Sequence, residues 1–203
     1  MRDITITRQV FTLDELSPAA RDKAIQLVRD ELYTSLPSVL VTYQLNGLLV
    51  ETLTGQFDGE LESEYVKNKF GVSLEWSLSY SQGDGVAIYG TLDSGNATSL
   101  NWGDANKAIL TRNHWGNHYT HGNCIDVALY RYDDEGHEID ITDTDYFVDQ
   151  IKAICRKLER DGYDIIDYYT SESYSIDLLS GSDTTRRFND DGTFAPAEFW
   201  GAQ

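Results

Sequence analysis

Residues 77–90 read SLSYSQGDGVAIYG, with two glycines and an aspartate set between two runs that alternate apolar and polar side chains. The stretch has two readings. A phosphate loop needs converging N–H groups at a helix start, usually backed by a lysine. Here VAIYGTL follows, which is strand-like, no lysine lies between Lys69 and Lys107, and Asp84 would face the phosphate. A hairpin turn needs only glycines that accept positive φ and an aspartate that bonds its own turn. The turn reading wins, and it sets the fold class.

Upstream, Val72, Leu74, Trp76, Leu78 and Tyr80 alternate with Ser73, Glu75, Ser77 and Ser79. That period of two is the mark of a half-buried antiparallel strand. Val86, Ile88 and Leu92 resume it beyond the turn, and CIDVALYRY (124–132) turns through DDEG into a short return at 137–141. Residues 3–11 alternate well enough for a further strand.

Helical spacing surrounds this block. Ser17 stands as an N-cap before Pro18, and Ala20, Ala24, Leu27 and Val28 share one face. SVLVTYQLNGLLVETL after Pro37 reads as a central helix, and FDGELESEYVKNKFG as a shorter one closed by Gly71. A long helix opens near Thr142 or Asp143 with Phe147, Ile151, Ile154, Cys155 and Leu158 as its apolar stripe, and Gly162 is read as its stop. The tail suggests an extended piece, a short helix and a hairpin about Asn189–Gly192. The sum is a single α+β domain over 1–203, a mainly antiparallel sheet of hairpins packed against several helices.

The 203 residues suffice for a sizeable core, and 40% hydrophobic residues is an ordinary globular fraction. No window offers eighteen uninterrupted apolar residues, and the first residues carry no apolar leader, so neither a membrane span nor a signal peptide is expected. Cys124 and Cys155 are then read as reduced thiols of a cytoplasmic protein.

Charge is the unusual property: 34 acidic residues oppose 16 Lys and Arg, a formal net charge of −18. Asp133, Asp134, Glu135, Glu138, Asp140, Asp143, Asp145 and Asp149 run with no Lys or Arg among them. Such a field repels nucleic acid and anionic membranes and attracts basic surfaces.

Three short motifs stand in order along the chain: FTLDELSPAARDKA, SQGDG and FNDDG. In this order they resemble a group of small phage and prophage proteins with an FxELSxxAxxKA start, an SQGDG hairpin and a terminal FxxDG turn. Phe11, Glu15, Leu16, Ser17, Lys23 and Ala24 match the first motif, Ser81 to Gly85 the second, and Phe188, Asp191 and Gly192 the third. The resemblance implies an antitoxin-like or anti-defence setting. It carries no catalytic residues with it.

NHWGNHYTHGNC concentrates His114, His118, His121 and Cys124 within eleven residues, donors that suit zinc. The interleaved Gly and Asn argue for a loop, and the spacing fits no standard zinc pattern, so a metal site is the alternative reading. No calcium loop, nucleophile elbow or specific carboxylate pair emerges, and neither an enzyme nor a cofactor is expected. The favoured expectation is a DNA-imitating inhibitor of a basic, nucleic-acid-binding host protein. Duplex DNA carries a charge per ~1.7 Å, so eighteen charges correspond to roughly 30 Å of duplex. The eight carboxylates of 133–149 are its expected contact. An accessory protein whose charge serves solubility or a salty host is the remaining alternative. Tyr163, Tyr168, Tyr169 and Tyr174 leave room for a self-contact.

Overall fold

The computed structural model describes residues 9–35, 38–57, 59–133, 135–180 and 186–196. The chain is an α+β protein that divides into two compact units, one from residues 1–36 and 166–203, the other from 37–165.

The larger unit holds helices α2 (Ser38–Thr54) and α3 (Ser63–Phe70), strands β1 (Val72–Ser77), β2 (Gly85–Asp93), β3 (Lys107–Arg112), β4 (Ile125–Tyr132) and β5 (Glu138–Ile141), and most of α4 (Asp145–Tyr169). The strands pair antiparallel in the order β1-β2-β3-β4-β5, so each lies beside its sequence neighbour. Ser77 faces Gly85 in the register, which makes 78–84 a hairpin loop. Gly85 to Ile88 are all buried, so this first part of β2 is covered on both faces of the sheet.

Three expectations change here. Periodicity does not single out Lys107–Arg112, which forms β3 in the middle of the sheet. The strand read through Tyr80 stops at Ser77. Gly162 does not end α4, which continues to Tyr169 through residues read as extended. Its lack of a side chain serves packing instead: a Cβ there would lie 2.5 Å from Leu78 Cδ1 and 3.4 Å from Leu45 Cδ2. Gly71, by contrast, caps α3 at φ 74°, as its sequence position suggests.

The smaller unit packs α1 (Pro18–Ser35) with α5 (Glu172–Ser180) around Leu13, Leu16, Ala24, Val28, Leu179 and Phe188. Ser17 Oγ accepts the Ala20 N–H at 3.4 Å, so the expected cap is in place. Phe188 bridges both Phe11 and Phe194, with a tight turn at 189–192 between the last two. Most of the proposed first strand, residues 3–8, lies outside the described residues.

Candidate functional site

The antiparallel meander decides what meets what. Its β1–β2 and β3–β4 connections open at one end of the sheet, and its β2–β3 and β4–β5 connections at the other. Helix α4 spans both ends. Near its start, Gln150 Nε2 donates to Asn101 O at 2.9 Å and Tyr146 Oη donates to Trp102 O at 2.8 Å. Farther along, Tyr163 stacks on Tyr80 with ring centres 4.4 Å apart.

The QGDG turn and the histidine-rich loop therefore share one end. Asp84 organises the turn: its carboxylate accepts from Ser77 Oγ and from Ser79 Oγ and N, each at 2.7 Å, and from Ser81 N at 2.8 Å. Burial alone would raise its pKa, but these hydrogen bonds outweigh burial and hold it down at about 2. Tyr80 adopts φ 59° in this loop, the one non-glycine at positive φ among the described residues. Gly83, at φ 89°, lies flat against Tyr119: a Cβ there would sit 2.0 Å from the ring. The opening stretch is a self-bonded turn resting on an aromatic ring.

The 113–124 connection is just as ordered. Asn113 Oδ1 accepts the N–H groups of Trp115 and Gly116, and its Nδ2 donates to Asn123 O at 3.0 Å. His121 Nδ1 accepts the Asn123 N–H at 3.0 Å, which assigns the ring proton to Nε2, 3.9 Å from Glu159 Oε2. The expected ligands do not converge. His114 packs on Trp115, His118 meets Tyr119 edge-on, and Cys124 is buried, where burial pushes its thiol pKa up. Among the described residues, no three His, Cys, Asp or Glu side chains gather as a metal ion requires.

The acidic segment lies toward the other end. Asp133 closes the β4–β5 turn by accepting from the backbone of His137 and Glu135, and its pKa falls for that reason. Glu138 binds Lys107, whose hydrogen bond lowers the carboxyl pKa. Glu135 sits 3.6 Å from His137. Asp140, Asp143, Asp145 and Asp149 are exposed and make no ion pair among the described residues, while Asp134 lies outside them. The negative run ends within α4, whose exposed stripe changes from Asp145 and Asp149 to Arg156 and Arg160. The change of sign is not evident in the linear run, because Arg156 and Arg160 join this stripe only through helical spacing.

The residues of the first and third motifs also meet, in the smaller unit. Glu15 accepts from Thr12 N at 2.7 Å in a capping box, Phe11 bridges Phe188, and Lys23 reaches Asp191. These contacts hold local structure, and beside them Gln9, Phe11, Asn189 and Asp190 line a depression of about 270 Å³.

No family model, curated protein or solved structure matches the chain. No helix among the described residues is long and apolar enough to cross a membrane.

Proposed function

We propose that this chain is a cytoplasmic, non-enzymatic acidic protein that binds a basic, nucleic-acid-binding partner and competes with nucleic acid for it. The observation that carries this reading is the exposure of Asp140, Asp143, Asp145 and Asp149 without cationic partners. Lys107, the one cation that reaches the segment by ion pair among the described residues, is already bound to Glu138. Four uncompensated carboxylates on folded backbone keep a fixed spacing, so a facing Lys/Arg groove loses little conformational entropy on docking. The likeness of the three motifs to phage proteins supplies a setting, host defence, in which such a competitor is useful.

The test is affinity capture from nuclease-treated bacterial lysate at about 50 and 200 mM salt, with duplex DNA as competitor. A basic DNA-binding protein should be retained at low salt, weaken about tenfold or more at high salt, and be displaced by DNA. The fourfold variant Asp140→Asn, Asp143→Asn, Asp145→Asn, Asp149→Asn should fold and fail to capture it. Capture unchanged by the variant, or no salt-sensitive partner at all, would leave the charge as a solubility device.

A further inference from the structure

The end of the sheet opposite the acidic segment carries surface that the reading above does not use. Two depressions of about 470 and 460 Å³ adjoin there, and His121 is a wall of both. Gln82, Trp115, Tyr119 and Asn123 line the first. Arg156, Glu159, Arg160 and Asp164 line the second, with Tyr163 at its side.

Trp115 is 53% exposed and Tyr119 40% exposed, their ring centres 6.4 Å apart and their planes inclined by 32°. Each ring keeps apolar surface in water that a covering ligand would bury. They are not slack: the Asn113 cap fixes the Trp115 backbone, and the bare Gly83 fits beneath Tyr119. A positioned pair of partly exposed aromatic rings beside polar groups is a common make-up of a ligand site.

The polar groups decide the ligand's charge. An anion would meet Arg156 and Arg160, but also Glu159 and Asp164 in the same depression, on a chain of net charge −18. A cation would be attracted by those carboxylates and repelled by both guanidinium groups. A neutral polyol suffers neither conflict. Its hydroxyls both donate and accept, matching carboxylate acceptors to Arg, Gln, Asn and His121 Nε2–H donors. Its C–H faces can cover the parts of Trp115 and Tyr119 that His114, His118 and Gly83 leave exposed.

We propose that this surface binds a short neutral oligosaccharide, one sugar ring stacked on Trp115 and Tyr119 and the next hydrogen-bonded in the Arg156–Asp164 depression. The test is an amide chemical-shift titration of the full chain with maltotriose, cellotriose and tri-N-acetylchitotriose, and with adenosine monophosphate as the anionic control. At least one trisaccharide should give saturable shifts on 113–124 and 156–164 with a Kd on the order of 1 mM or tighter. Trp115→Ala should weaken it at least about tenfold, and Glu159→Gln about threefold or more, each with native far-ultraviolet dichroism. Should Trp115→Ala misfold, Glu159→Gln carries the test alone. No saturable shift with any of the three sugars, equal or tighter binding of adenosine monophosphate, or full affinity in the folded variants would overturn the proposal.

Discussion

Lys23 Nζ donates to Asp191 Oδ2 at 2.8 Å, closing a gap of 168 residues in sequence. Asp191 also accepts from Thr193 N and Oγ1, and with Lys23 these bonds hold its carboxyl well below the ordinary range. The next residue completes the join. Gly192 stands at φ 81°, and a Cβ on it would lie 2.0 Å from Ala20 O. Gly192→Ala should therefore destabilise the smaller unit by about 2 kcal/mol or more, from positive-φ strain plus a backbone clash. Lys23→Met, which removes only an exposed ion pair, should shift the urea midpoint far less. Urea titrations of both variants check the ranking.

The Asp84 staple carries a pH signature. Its folded pKa of about 2 lies below the unfolded value of about 3.9, so its contribution is whole above about pH 4. It is lost as pH falls through 2, where the folded carboxylate takes up its proton. Asp84→Asn should flatten the stability curve between those limits, measured by denaturant titration at stepped pH. Asp84→Ala, which strands two hydroxyls and two N–H groups, should lower stability by about 1–3 kcal/mol at neutral pH.

Both cysteines are free and buried, and burial pushes the Cys155 thiol up to about 12. The thiolate is the nucleophile, so neither side chain should react with Ellman's reagent in the native protein at pH 8. Two thiols per chain should appear on unfolding. Fast labelling of Cys155 in the native state would contradict the packing of Gly122 against it, where a Cβ would come within 2.8 Å.

Gly83 and Tyr119 should be coupled. Gly83→Ala incurs both φ strain and collision with the ring, and Tyr119→Ala removes only the collision. The double variant should recover about 1 kcal/mol relative to the sum of the single changes. Strict additivity in a thermodynamic cycle would mean the turn does not rest on the ring.

Local chemistry explains which elements were legible. Ser17-Pro18 announced α1, Gly71 announced the end of α3, and the alternation on both sides of QGDG announced β1 and β2. Strand β1 ends early because Asp84 draws Ser79 and Ser81 into the loop, a competition of side chain with sheet that periodicity does not register. Gly162 misled because a glycine that stops a helix and a glycine that admits a neighbour look alike in sequence. Strand β3 offers six residues with a polar start and end, too short for alternation to stand out. The aromatic site escaped for another reason. Its three segments, 82–83, 115–123 and 156–164, are joined only by the sheet's connectivity.

The same connectivity sets an order of assembly. Every strand after β1 pairs with the one made just before it, so the sheet can grow hairpin by hairpin as the chain emerges. The smaller unit cannot finish that way, because Phe11 waits for Phe188 and Lys23 for Asp191. During synthesis α1 is left for most of the chain's length without the residues that cover its apolar stripe. Chains stalled before residue 172, where α5 begins, should show protease-protected β2 and β3 and a cleavable α1. Leu179 and Phe188, made after the whole sheet, shelter a helix made before it.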